Sequence, residues 1–262
     1  MENIHIDVWM DLTCPYCYIW QKRLRGALAA EGVAERTSIT VRSYELDPEA
    51  PVVAIPAAER MAARRGLALR EARQVEVRFK DMATAEGLDY DPDRLRGNTG
   101  NIHRVTQYAR EAGKDFELFT RLQELAFTRR ANPFATEELV RIAVEAGLDE
   151  AGIRDALINP SIAAAVEEDR ASGATVGLQG LPHTVINSTI VLPGLQSTED
   201  LRTALRGELS QTLKAFPVTA RGLAPGGGRA TLCSPLGQSS LVLAAPVHVP
   251  PPMTEPITEE NT

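Results

Sequence analysis

Apolar and polar residues alternate with a period of two at the start of the chain, with Ile4, Ile6 and Val8 on one side and His5, Asp7 and Trp9 on the other. Successive side chains of a strand point to opposite faces, so the pattern predicts a β-strand. The strand leads directly into T-C-P-Y-C, residues 13–17, where Pro15 suits a first helical turn because the amide it lacks would have no partner there. The following residues permit a helix to about Ala30, and Gly32 stops it. Ile39, Val41 and Ser43 alternate next, until Y-E-L-D-P breaks the pattern at Pro48. The first 48 residues thus read as a β-α-β unit with C-P-Y-C at the strand-to-helix turn.

From about Ala57 to Ala174 helical spacing replaces the two-residue period. Val75, Phe79 and Met82 recur at intervals of three or four, as do Ile102, Val105 and Ala109, and Phe116, Phe119 and Leu122, each set marking one helix face. Gly113 and Gly147 fit helix ends, and Thr136 before Glu137-Glu138 fits a start, with acids at the positive end of the dipole. Strand signals return in H-T-V-I-N (183–187) and T-I-V-L (189–192), placed to pair as a hairpin around Asn187-Ser188. Ser197 with Asp200 three residues on predicts the start of a last helix carrying Leu201, Leu205 and Leu209 on one side.

From Pro217 onward no amphipathic period survives, eight of the 17 prolines fall there, and the expectation is a largely disordered tail in which only S-L-V-L-A-A, 240–245, is apolar enough to dock. The expected organisation is an α/β domain made of residues 1–55 and 176–216, an all-helical insertion at 56–175, and a flexible Pro/Gly-rich tail at 217–262.

The formal net charge of −7 argues against nucleic-acid and anionic-membrane partners, which select for clustered Lys and Arg. The opening M-E-N-I-H-I-D-V-W-M-D has neither the basic nor the long apolar region of a signal peptide, and no run approaches the roughly 18 apolar residues of a membrane span. Both features predict a cytoplasmic protein. Three cysteines cannot form a disulfide framework, and in a reducing compartment the close pair Cys14 and Cys17 reads as catalytic or metal-binding. A metal needs further ligands, and Cys233, His5, His103, His183 and His248 supply no second short-spaced pair, so no metal is expected.

The redox reading assigns each sulfur a role. Cys14, at the start of a helix, faces unpaired backbone N–H groups and the positive end of the dipole, which favour a thiolate. Cys17, one turn further in, keeps its proton. Cys14 is then the attacking sulfur, and Cys17 resolves the mixed disulfide. Downstream, Leu181-Pro182 just before a strand is a candidate cis bond, presenting the backbone of Leu181 to an extended peptide, with Tyr16 and Tyr18 bordering that contact surface. Asp11 is either a proton-transfer partner for Cys17 or a strand-end hydrogen-bonding residue. Glu45 and Asp47 carry the same ambiguity, with the turn role favoured by Pro48. His103 reads as a satisfied packing histidine and Trp20 as core. Cys233 reads as an unpaired thiol of no function, since nothing lowers its pKa.

Together D-L-T-C-P-Y-C-Y-I (11–19), Y-E-L-D-P (44–48), N-T-G-N-I-H-R (98–104) and G-L-Q-G-L-P-H-T-V-I-N with a second G-L-Q (177–187, 194–196) resemble the DsbA family, and within it the FrnE-like branch of cytoplasmic oxidoreductases. The resemblance covers about residues 3–210 and implies an α/β thioredoxin-like fold with a large helical insertion. It implies a thiol–disulfide oxidoreductase exchanging disulfides with protein or low-molecular-weight thiols, needing no cofactor beyond its cysteines, with glutathione as a candidate co-substrate. Where the family usually carries a bulky apolar residue after the proline this chain has His183, which either favours the Cys14 thiolate as a cation, assisting proton transfer, or faces the surface. Relatives with Ser in place of the first cysteine use glutathione for isomerase or transferase work, as in 2-hydroxychromene-2-carboxylate isomerase and kappa-class enzymes. The rivals are therefore that chemistry, or a non-catalytic peptide-binding or chaperone module.

Overall fold

The structure is a computed structural model describing residues 3–207. Strand β1 (Ile4–Met10) enters helix α1 (Pro15–Glu31), and β2 (Thr37–Ser43) returns parallel to β1, in register from Ile4–Thr37 to Met10–Ser43. A parallel pair needs a crossover, and α1 supplies it. Gly32 ends α1 at φ 63°, a left-handed conformation that glycine adopts without steric cost. Near the end of the described chain, β5 (His183–Ile186) and β6 (Ile190–Pro193) form the hairpin, turning through Asn187 and Ser188 at φ 49° and 57°. The sheet order is β2-β1-β5-β6, with β5 antiparallel to β1.

β1 is internal to this sheet, and Ile6, Val8 and Met10 are fully buried. Trp20, Leu24 and Ala27 of α1 are buried with them, each large side chain contributing about 1.5–3 kcal/mol. The closing helix α9 (Thr198–Leu205) packs on α1 and starts as expected, with the Ser197 hydroxyl and Asp200 carboxylate capping it reciprocally.

Between β2 and β5 lie α2 (Ala57–Arg65), α3 (Leu69–Ala85), α4 (Gly100–Glu111), α5 (Asp115–Phe127), α6 (Thr136–Glu145), α7 (Glu150–Ile158) and α8 (Pro160–Thr175). Asp169 of α8 ties this layer to the sheet edge: its carboxylate accepts from Arg110, Arg42, the Ser43 amide and Gln107 at 2.6–3.0 Å. A second buried ion pair, Arg94–Glu76 at 3.0 Å, is closed by the Tyr90 hydroxyl and lies over the Phe127 ring.

Two expectations are corrected here. The helical stretch contains a two-residue ladder, β3 (Ile55–Pro56) with β4 (Leu95–Arg96), too short to leave a periodic signal. Met82 is 37 % exposed, so the Val75–Phe79–Met82 face of α3 is only partly covered. The tail, Cys233 and Leu209 lie outside the described residues. Among the described residues no helix is long and apolar enough to cross a membrane, and no group of three or more His, Cys, Asp or Glu side chains is placed to hold a metal ion.

Candidate active site

The end of β1 and the start of α1 build the site. Cys14 occupies the helix N-cap in extended conformation (φ −79°, ψ 113°); its amide donates to the Asp11 carbonyl at 3.2 Å, and its own carbonyl accepts from Tyr18 at 3.2 Å. Both cysteines are free thiols, Cys14 3 % exposed and Cys17 fully buried. Their proton affinities diverge. A hydrogen bond from the Cys17 thiol, helped by backbone amides of Cys17 and Tyr16, draws the Cys14 pKa down against burial and the Asp11 charge. Burial first, then the Cys14 sulfur, pushes the Cys17 thiol well up.

The chain approaches Cys14 again 167 residues later. The Leu181-Pro182 peptide is cis, and the Leu181 carbonyl oxygen lies 3.9 Å from Cys14 Sγ. The Pro182 carbonyl is occupied by the Gly194 amide at 2.8 Å. Tyr16 is half-buried, its ring edge-on to Phe79 of α3 at 5.4 Å. The structure thus brings Cys14, Cys17 and Leu181 together beside the turn.

Asp11 is 1 % exposed and its carboxylate is saturated with donors. Oδ1 accepts from the Thr13 amide and hydroxyl, and Oδ2 from the Leu46 amide and the Thr99 hydroxyl at 3.0 Å each. Burial alone would raise its pKa. Neighbouring His103, whose Nε2 stands 3.8 Å from Oδ2, and those hydrogen bonds outweigh it and hold Asp11 at about 2. At 3.8 Å His103 is an electrostatic neighbour and not a hydrogen-bond donor. Gln123 reaches the Asp11 carbonyl at 3.3 Å. Thr99, Leu46 and Gln123 were not anticipated as partners of Asp11, although N-T-G-N-I-H-R and Y-E-L-D-P had marked the first two segments.

His183 corrects both of its expected roles. It is fully buried, its ring edge-on to Trp9 at 5.8 Å and its Nε2 3.2 Å from the Val176 carbonyl, and burial lowers its pKa. It is therefore neither a surface residue nor a cation beside Cys14. Tyr18 does not border an open surface either: it is 1 % exposed, stacked on Phe127, with its hydroxyl on the Asp89 carbonyl at 3.1 Å. His103 is buried as expected but not satisfied, because neither ring nitrogen has a hydrogen-bond partner. Asp47 takes a structural role, receiving Arg60 on both oxygens at 2.8 Å. Glu45 is half-buried and its pKa is raised, first by burial.

With that geometry established, comparison with known proteins adds the following. The family model of the DSBA-like thioredoxin domain matches residues 5–206. Among solved structures the chain is similar to a probable DsbA oxidoreductase from Streptomyces coelicolor at 29 % identity and TM-score 0.72, covering 86 % of this chain and 98 % of that one. It is similar in fold to a putative protein disulfide isomerase from Nitrosomonas europaea at 14 % identity and TM-score 0.60, covering 80 % and 99 %. It is likewise similar in fold to the cytosolic disulfide reductase DsbM from Pseudomonas aeruginosa, solved with GSH, at 15 % identity and TM-score 0.52, covering 78 % and 98 %. No curated protein matches.

Proposed function

The chain belongs to the DSBA-like thioredoxin domain family, with its thioredoxin-like fold, and on that premise we propose that it is a thiol–disulfide oxidoreductase working through Cys14 and Cys17. The observation that carries this reading is the opposite displacement of the two thiols: Cys14, at the helix N-cap, is drawn toward the thiolate, and Cys17, one turn inside, is held protonated. The thiolate is the nucleophile in disulfide exchange. Cys14 S⁻ attacks one sulfur of a substrate disulfide and expels the other as a thiolate. Cys17, once deprotonated, attacks Cys14 Sγ, forming the Cys14–Cys17 disulfide and releasing the second substrate thiol. Two electrons pass from the dithiol to the substrate, and oxidation of a substrate dithiol runs the same steps in reverse.

Leu181 and Pro182 form the wall against which an extended partner lies beside Cys14, and Tyr16, next to Cys14 in the turn, borders the same contact surface. Partners are protein or low-molecular-weight thiols, including glutathione, and no bound cofactor is required. We place the protein in the cytoplasm and in the FrnE-like branch, on the strength of the sequence motifs that resemble that branch. The intact Cys14 favours exchange over glutathione-dependent isomerase chemistry, where a serine suffices at that position.

Reduction of insulin by dithiothreitol in the presence of wild type and of Cys14→Ser tests this. Catalysis abolished by the substitution, with unchanged far-UV circular dichroism, supports the reading. Activity that survives sinks it.

A further inference from the structure

Cys17 must lose a proton before it can resolve a mixed disulfide, and its burial raises the question of where that proton goes. Asp11 beside it is a poor acceptor at neutral pH. Four hydrogen-bond donors hold it ionised. Behind it stands His103, fully buried, with Nε2 3.8 Å from Asp11 Oδ2 and both ring nitrogens without a hydrogen-bond partner. Buried polar atoms are nearly always paired, so an imidazole left open on both nitrogens against a fixed carboxylate needs a reason. Imidazole is also the side chain that ordinarily changes charge near neutrality.

The groups facing His103 are few. Asp11 comes from the end of β1 and Glu45 from the segment after β2, whose carboxylate lies by the first turn of α4: a methyl group built on Gly100 would stand 3.7 Å from Glu45 Oε2. Helix α5 presents the uncharged Phe119 ring at 6.0 Å. Glu167 and Arg170 of α8 act on Glu45, and Arg96 of β4 acts on Asp11, from the outer side.

From this arrangement we propose that Asp11 and His103 form the proton-holding pair for Cys17, with His103 taking the proton, Asp11 acting as its fixed counter-ion, and half-buried Glu45 connecting the pair to solvent. This deepens the oxidoreductase reading and rests on it. In the resolving step the Cys17 S–H proton is relayed across the Asp11 carboxylate to His103 Nε2. The Cys17 electron pair then forms the bond to Cys14 Sγ, the Cys14–substrate S–S bond breaks, and the departing thiolate is protonated by solvent. Imidazolium returns its proton by way of Glu45. His103 touches no reacting sulfur in this scheme and acts through Asp11.

The test uses the full chain with Cys233→Ser and the aromatic disulfide 5,5′-dithiobis(2-nitrobenzoate). Attack by Cys14 releases the first coloured thiolate, and resolution by Cys17 releases the second. His103→Gln should leave the first phase within about twofold of wild type. It should slow the second about tenfold or more at pH 7 and abolish the rise of that phase with pH. In wild type, the His103 ring carbon resonance should move over the same pH interval as the second phase. A second phase with unchanged pH profile, equal slowing of both phases, or a His103 resonance fixed across that interval would overturn the proposal. The resonance decides alone if His103→Gln fails to fold. Absence of any second phase in the parent protein would instead overturn the oxidoreductase reading itself.

Discussion

The carbonyl oxygen of Leu181 lies 3.9 Å from Cys14 Sγ, joining two segments 167 residues apart at one sulfur. The contact sits at the N-cap of α1, so the atom a partner must reach is also the atom favoured as an anion. The first prediction concerns that charge. Cys14 in a Cys17→Ser protein should lose part of its depression, because the largest contribution to it is the Cys17 thiol, while in wild type its alkylation by iodoacetamide should titrate well below the free value of about 8.5. A wild-type midpoint at or above that value would refute the assignment of Cys14 as attacking sulfur.

Asp11 should make the protein acid-sensitive over a defined window. Its folded pKa of about 2 lies below the ordinary 3.8, so its contribution is complete above about pH 4 and disappears as the pH falls toward 2. The difference corresponds to about 2 kcal/mol. Urea unfolding from pH 7 to 2.5 should show Asp11→Asn less stable than wild type at neutral pH, with the gap narrowing toward the acid end. A constant gap would contradict the linkage.

His183 gives a window of its own. Its pKa is lowered in the folded state, so the unfolded chain binds more protons just below the ordinary value of about 6.5, and stability falls as the pH drops through that value. His183→Phe, which keeps an aromatic ring against Trp9, should lose less stability than wild type between pH 7.5 and 5. Parallel curves for the two proteins would show that His183 is not buried as the neutral imidazole.

Glu76 and Arg94 form a buried pair whose separate removal is costly, since the remaining charge loses its counter-ion and keeps only the Tyr90 hydroxyl. Glu76→Gln should destabilise by about 3 kcal/mol, a drop in Tm of roughly 6–12 °C. The double replacement Glu76→Leu, Arg94→Met should recover much of that loss. Calorimetry in which the double variant is worse than the sum of the single ones would contradict this account.

Local signals carried much of the fold. The alternation of Ile4, Ile6 and Val8, the proline inside the first turn at Pro15, and the Ser197/Asp200 cap each act within a few residues, and each element formed where its signal lay. The hairpin was legible for the same reason, but the environment of His183 was not: all four residues of β5 are buried, so no alternation marks an inner and an outer face. The Asp11 site could be read only at its nearest member. Thr13 is two residues away, whereas Thr99 at the N-cap of α4 and Gln123 in α5 arrive 88 and 112 residues on, through helix packing that no short-range pattern encodes. Tyr18 lies inside while Tyr16 stays half-exposed because residues two apart on a helix are turned about 200° from one another.

The most direct test of the central claim is a redox titration of the full-length protein against glutathione buffers, followed by mass spectrometry of acid-quenched, alkylated samples. The account predicts a single two-electron transition in which Cys14 and Cys17 together lose two hydrogens. Its midpoint should fall near the glutaredoxin range of about −200 to −230 mV, as the shared Pro-Tyr dipeptide suggests. Failure to form the Cys14–Cys17 disulfide at any poise, with both thiols remaining alkylatable or Cys14 carrying only glutathione, would contradict it.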